Sequence, residues 1–517
     1  MKRTLMALSL LCLGQGMASA ATFNIEEASI TSIEDAIKSG QTTCQAVVAA
    51  YIDRINAYDQ KGPALDSVIT LNPAARELAA YKDAQFKKTG KLSGPLHCIP
   101  VAVKDNYNTM DMPTTGGNLL FKYVKPTTES AVTRKLRDAG AIMLMKTNMH
   151  EFALSGTSVS SLGGQTKDPY DLTRTPGGSS GGTAAAVAAN FAAVGLGSDT
   201  VNSIRNPSSA NSLVGIRSTK GLVSRAGVMP VSSTQDVVGP IARSVADAAI
   251  VLDVIAGFDP ADPPTARSVG NMPKSYTAYL DKNGLSGARI GVLKSFLGTQ
   301  PMHEEVNAAM ANAIDAFKKA GATVVEIDDP YFDSDAIGKG YDVQIWEFKT
   351  LFNDYLKALG PRAPVKNLTE LIASGKYHKP SLEKFLTTSD AFQTPYQEKE
   401  YLVRLAKIDG LRDRLLSRMA EQNIDAVVYP EQKRLVVPIG ELNQADRTGI
   451  LAAMTGFPAI DVPMGFSKPS ASAPVGVPIG MDILGRPFDE GRLLTIAYAF
   501  EQATKIRKPP QSVPTLK

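Results

Sequence analysis

The stretch from Pro176 to Pro207 constrains this chain more than any other. It opens Pro-Gly-Gly-Ser-Ser-Gly-Gly-Thr and runs into Thr183–Ala193, where only Thr183 and Asn190 are polar. Alanine dominates that run and has the highest helix propensity. A helix apolar on every side belongs inside a fold. A short apolar segment, Ala192–Leu196, follows, then a turn read over Gly197–Asp199, then Ser203. The prediction is two hydroxyl-bearing loops joined by one buried helix, with Ser179 and Ser180 on one and Ser203 on the other. A glycine- and serine-rich tract alone reads as a linker, but a linker does not lead straight into a buried helix. No Gly-Lys-Ser/Thr closes the tract, so it is not a phosphate loop. Gly177–Gly181 spells Gly-x-Ser-x-Gly, the nucleophile elbow, which requires a strand immediately before it. Asp168–Pro176 reads as loop, so the match is taken as coincidental.

Around this stretch, apolar strands alternate with amphipathic helices. Helical spacing covers Ile30–Ile55, with Ser32 as cap and Gly40 dividing two helices, and then Pro73–Lys88 and Glu129–Ala139. Ile99–Lys104 is a short β-branched run between Gly94-Pro95 and Asp105-Asn106, and reads as a buried strand ending in lysine. Ile142–Lys146 is a strand. Ala288–Leu293, His303–Ala320 and Ala322–Ile327 form a further β-α-β unit. Residues 331–420 read as helical, with Trp346, Phe348, Phe352 and Tyr355 as core. Asp425–Tyr429, Gly456–Pro463 and Val475–Leu484 are closing strands, and Arg492–Ala503 a final helix. The expected fold is α/β: a single large domain with a mixed, mostly parallel central sheet covered by helices on both faces.

Met1–Ala20 has a basic start at Lys2 and Arg3, a short apolar core and Ala18-Ser-Ala20. It reads as a signal peptide cut after Ala20, which places the mature protein in the periplasm or outside the cell. The chain has 517 residues, and its formal charge of +4 falls by two once Lys2 and Arg3 are removed. So weak a field gives no nucleic-acid or anionic-membrane partner. Cys44 and Cys98 lie beyond the leader, and the sequence fits one disulfide or two buried thiols equally. His97, His150, His303 and His378 show no metal-ligand spacing, so no metal or other cofactor is expected.

Three residues then carry the candidate chemistry. Lysine is rarely buried without a partner. At the end of an apolar strand Lys104 would be held neutral, and a neutral amine is a base. A serine hydroxyl needs such a base to become a nucleophile, and Ser-Lys is a known alternative to Ser-His. A second serine between the two can relay the proton. Ser179 and Ser203 supply the hydroxyls. A solvated strand end for Lys104 and a helix cap for Ser203 are the ordinary readings of each residue taken alone.

Taken together, ordered motifs across nearly the whole mature chain resemble the amidase signature family. They are Gly94-Pro-Leu-His-Cys-Ile-Pro-Val-Ala-Val-Lys-Asp-Asn106, Lys146-Thr-Asn-Met-His-Glu151 and Pro176-Gly-Gly-Ser-Ser-Gly-Gly182. Gly197-Ser-Asp-Thr200 with Ser203-Ile-Arg205, Gly215-Ile-Arg-Ser-Thr-Lys-Gly221, Gly239–Asp247, Gly456–Ala459 and Gly485–Glu490 continue the series. The resemblance implies a cofactor-free amidohydrolase domain over 21–517. Its core would be 70–260 with 425–517, and its variable helical insertion 331–420. It implies Ser203 as nucleophile, Ser179 as bridging serine after a cis peptide, and Lys104 as general base. Backbone N–H groups of Thr200, Val201, Asn202 and Ser203 would form an oxyanion hole, with Ser180 and Arg205 in support.

Three positions depart from the family pattern. Val201-Asn202 stands where Gly-Gly is usual, which would narrow the hole or put Asn202 in the pocket. Cys98 stands where glycine is common, and Asp168 where asparagine commonly precedes proline. The leader and the insertion resemble bacterial peptide amidases, so a C-terminal peptide amide, or another small amide, is the expected substrate of a monomer or homodimer. The competing readings are a urethane or ester hydrolase, one subunit of a tRNA-dependent amidotransferase, a histidine-dependent hydrolase using Ser179 with His303 or His378, and a silent binding protein.

Overall fold

The computed structural model describes residues 23–516. The expected signal peptide and its cleavage point after Ala20 lie outside the described residues. Thirteen strands are seen among them. In chain order they are β1 Val68–Leu71, β2 Pro100–Lys104, β3 Ile142–Thr147, β4 Val159–Ser160, β5 Gly164–Gln165, β6 Val194–Asp199 and β7 Val214–Arg217. The rest are β8 Val237–Ala242, β9 Arg289–Leu293, β10 Thr323–Ile327, β11 Ala426–Pro430, β12 Ala459–Phe466 and β13 Pro478–Leu484. Eleven of them form one sheet in the order β1-β3-β2-β6-β8-β7-β12-β13-β11-β9-β10. Every residue of β2, β3, β6, β7, β8, β11 and β13 is buried. A strand buried throughout is covered on both faces, and helices flank the sheet as expected.

The sheet is mixed, but the expected parallel majority is corrected. Parallel pairing links β3, β2 and β6 in one block and β11, β9 and β10 in another. Every other neighbouring pair in the sheet is antiparallel. Strand runs alternating with helices suggest crossovers throughout. In the centre the sheet changes direction at β8, β7, β12 and β13, and nothing in a strand's own residues reports its direction.

The all-apolar run forms the helix Gly181–Ala188, buried at every residue. It is shorter than the run because the chain turns at Asn190, where φ is 57°. The turn expected over Gly197–Asp199 is instead the end of β6. Gly197 serves close packing there: a Cβ would lie 2.8 Å from Ile204 Cγ1. Ser29, not Ser32, caps the first helix, and accepts from the Ser32 N–H.

Cys44, the first residue of the helix Cys44–Tyr58, is bonded to Cys98 just before β2, with Cα atoms 5.4 Å apart. Cys98 has φ 64°, which accounts for the glycine that the family pattern has there. The helical segment is made of Ser334–Tyr341, Gln344–Leu359, Leu368–Ser374, Lys379–Ala391 and Lys399–Glu421. Its aromatics are core, as expected: Phe352 meets Phe152 at 5.3 Å between ring centroids, which seats the segment on the loop after β3.

Candidate active site

Lys104 is the last residue of β2, and Val103 pairs with Leu196 on the parallel neighbour β6. That register sets the lysine beside Ser198, near the end of β6. Lys104 Nζ lies 2.7 Å from Ser179 Oγ, 2.9 Å from Ser198 Oγ and 3.2 Å from the Ser198 carbonyl oxygen. All three contacts are to uncharged oxygens. Burial lowers the Lys104 pKa to about 7, although Asp199 and Asp236 pull it back upward. Lys146 makes the contrast. It is equally buried, but it sits 2.9 Å from Asp105 Oδ1 and donates to the carbonyls of Tyr107 and Pro113. Burial lowers the Lys146 pKa as well, but its carboxylate partner opposes that shift at hydrogen-bond distance, which Lys104 lacks.

A neutral amine has two N–H donors and one lone pair. With both Ser198 oxygens taking N–H donors, the lone pair of Lys104 is left facing the Ser179 hydroxyl. Ser198 is the residue that sequence reasoning misses, because Gly197–Asp199 reads as a turn. Its hydroxyl also accepts from Asn106 Nδ2 at 3.0 Å.

The loop of Ser179 is fixed by its neighbours. The Gly178–Ser179 peptide is cis. The Gly178 N–H donates to Asn206 Oδ1 at 2.8 Å, and the His150 N–H donates to the Ser179 carbonyl at 3.0 Å. Gly177 has φ 71°, and a Cβ on it would stand 2.6 Å from Asn206 Oδ1. The second loop leaves β6 at Asp199 and enters the helix Arg205–Ala210. Ser180 joins the two loops: its hydroxyl and its N–H both donate to the Ser203 carbonyl, the N–H at 3.2 Å. Ser203 retains 6% exposure, while Lys104 and Ser179 have none. The three residues are thus graded from an enclosed amine to a hydroxyl-bearing residue at the edge of solvent.

A cavity of about 210 Å³ reaches the lysine's partner Ser198, and none of Lys104, Ser179 or Ser203 lines it. Asn106, Ser198 and Thr200 are among its polar lining residues, and Val228, Met229 and Leu351 among its apolar ones.

A family model described as Amidase matches residues 46–494. The chain belongs to the amidase signature family. It is an enzyme that hydrolyses amides, and solved relatives share its fold. The native peptide amidase of Stenotrophomonas maltophilia is 36% identical with a TM-score of 0.84, over 94% of this chain and 98% of that one. A glutamyl-tRNA(Gln) amidotransferase subunit of Caldanaerobacter subterraneus subsp. tengcongensis is 34% identical over 94% of this chain and 98% of its own length. A probable amidase of Arabidopsis thaliana is 34% identical over 95% and 93%.

The amidase accommodates its unusual residues by local means. Neither Val201 nor Asn202 has positive φ, so the backbone there does not require glycine. Asn202 does not line the cavity; its Nδ2 donates to Glu431 Oε1 at 2.7 Å. Val201 packs with Ile450 and Leu451. Burial pushes the Asp168 carboxyl well above its usual range. A neutral acid there still accepts from the Tyr170 N–H at 2.7 Å, as an asparagine side chain would.

Arg205 reaches the site only through its loop. Its side chain bonds Asp199, Asp482 and the Val201 carbonyl, and none of Lys104, Ser179 or Ser203. Burial alone would raise the Asp199 pKa, but Arg205 and Arg217 overcome it and hold the group at about 2. Arg205 therefore braces the 199–203 loop through a buried ion-pair network. The histidine-dependent reading gains no support. His378 bonds Ser381 at 2.7 Å and His303 lies 3.4 Å from Asp446, and neither ring is hydrogen-bonded to Ser179. Among the described residues no group of three His, Cys, Asp or Glu could hold a metal ion.

Proposed function

We propose that the amidase works through Ser203, Ser179 and Lys104. Ser203 Oγ attacks the amide carbonyl carbon. Its proton passes to Ser179, whose own proton passes to the Lys104 lone pair. The oxyanion takes backbone N–H groups in Thr200–Ser203. Lys104 then returns the proton to the leaving nitrogen, the C–N bond breaks, and water releases the carboxylate by the same route. The observation that carries this reading is the 2.7 Å contact between Ser179 Oγ and an amine that touches only uncharged oxygens.

Because the amine must be neutral, turnover is expected to rise with pH through about 7 and level off above it. The check is kcat/KM against pH on peptide amides, aryl amides and carbamates. A flat profile between pH 6 and about 9 would remove Lys104 as base. The same panel reads the substrate. We take it to be a C-terminal peptide amide, supported by the likeness to the Stenotrophomonas enzyme. An ester or urethane hydrolase on the same scaffold remains a competitor in that panel. An amidotransferase-type subunit is the second reading, favoured by the relatives from glutamyl-tRNA(Gln) amidotransferases. It predicts amide transfer to an acceptor and a dependence on partner subunits.

The leader and the Cys44–Cys98 bond both support export to the periplasm or beyond, where disulfides persist. The exported protein is expected to begin at Ala21. Replacing both cysteines by alanine should lower its unfolding free energy by about 4 kcal/mol, from the entropy of closing a loop of this length. Intact-mass and denaturant measurements check both, and an uncleaved or thiol-containing exported chain would contradict the reading.

A further inference from the structure

The helical segment touches the catalytic loop through a buried carboxylate that the mechanism above does not use. Glu347, on the helix Gln344–Leu359, has no exposed surface. Its two oxygens accept from the hydroxyl of Ser232, the hydroxyl of Ser233 at 3.2 Å, the Thr234 N–H at 3.0 Å, the Thr234 hydroxyl at 2.5 Å and the Tyr401 hydroxyl at 3.0 Å. A buried carboxylate is costly unless so satisfied, and here four of the donors come from one short loop. That loop lines the cavity through Val231, Ser232 and Ser233.

The loop is in turn bonded to the stretch before Ser203. Asp236 accepts from the N–H groups of Val231 and Ser232 at 2.8 and 2.9 Å, and from the Thr200 hydroxyl at 2.6 Å. A second strut runs alongside it. Gln235 Nε2 donates to the Thr200 carbonyl at 3.3 Å, while its Oε1 accepts from the Val343 N–H at 2.8 Å, just before the Glu347 helix. The segment therefore reaches Thr200 by two hydrogen-bonded routes, one ending on its hydroxyl and one on its carbonyl.

We infer that Glu347 is a positioning residue that shapes the cavity lined by Val231, Ser232 and Ser233 by clasping Ser232–Thr234, that this cavity takes the acyl group, and that the variable segment so decides which acyl group is accepted. The inference rests on the proposed Ser203 chemistry. It assigns Glu347 to the recognition of the acyl group and not to proton transfer.

The test uses the full mature enzyme and two fluorophosphonate probes, one with a methyl group and one with a bulky arylalkyl group on phosphorus. Inactivation kinetics separate probe binding, KI, from bond formation, kinact. Glu347→Gln keeps the shape but points an amide N–H at donors. It is expected to raise KI for the bulky probe about tenfold, the scale of lost bonds to a charged acceptor. The methyl probe should react as before, and the pH midpoint of kinact should not move. An unchanged KI for the bulky probe would reduce Glu347 to a fold strut. An equal loss with both probes would mean general damage and overturn the inference. Ser232→Ala removes one of the loop's four donors to Glu347 without stranding a charge, and gives the same reading, with a smaller rise in KI, if Glu347→Gln does not fold. The double variant should be no worse than Glu347→Gln alone; additive losses would contradict a shared route. Failure of the underlying chemistry would look different, since the label would then be absent from the unaltered enzyme or retained in Ser203→Ala.

Discussion

Ser203→Ala is expected to abolish acyl-enzyme formation and to cut kcat by about 10⁴- to 10⁶-fold, the range seen when a serine hydrolase loses its nucleophile. The substitution removes one oxygen from a residue with 6% exposure. What holds the loop is its backbone: the Ser203 carbonyl receives both donors of Ser180, and the Ile204 N–H donates to Asp199 at 3.1 Å. Those contacts survive in alanine, so the variant should unfold at the temperature of the parent enzyme. Intact-mass spectrometry after fluorophosphonate treatment checks the chemistry directly. A retained adduct on Ser203→Ala would put the nucleophile elsewhere, with Ser179 the first candidate.

Lys104→Met should lower kcat by at least ~10², the usual scale of a lost general base, and should erase the rise of activity through pH 7. Methionine nearly fills the space of the lysine stem without supplying a base. Its cost in stability is small for another reason: a neutral amine satisfied by Ser198 and Ser179 leaves no buried counter-charge behind. Lys104→Arg is the sharper control. A guanidinium stays protonated at every accessible pH and accepts no proton, so the arginine variant should be as inactive as methionine. Activity in Lys104→Arg with the pH profile of the parent enzyme would mean that Lys104 acts only as a cation. The pH-dependence belongs to kcat/KM of the free enzyme and is read there.

Much of this site is legible in the sequence because its chemistry is local. A lysine closing a β-branched run, and two serine-bearing loops flanking an all-apolar helix, are patterns of a few residues each, and each forms much as its own composition dictates. The same holds for the helices of 334–421, whose aromatic residues are buried as their type requires. Ser198 is hidden because glycine carries two meanings. Gly197 reads as a turn former, but in β6 it is glycine because Ile204 leaves no room for a Cβ. The partners of Arg205 are hidden as well. Its place two residues after Ser203 suggests only a supporting role, and what the sequence does not show is its partners: the helix that begins there turns the guanidinium back onto Asp199 and across to Asp482.

The sequence by itself determined the elements, the family and the three residues proposed to carry the reaction, because backbone preference and side-chain type act over short spans of chain. Tertiary structure alone decided the pairing of Cys44 with Cys98, the antiparallel middle of the sheet, the two Ser198 oxygens around Lys104 and the route from Glu347 to Thr200. Each of these is a meeting of segments far apart in the chain. The register of β2 against β6 and the seat of the helical segment on the core set those distances, and a hydrogen bond forms only where the two groups come within about 3 Å of each other.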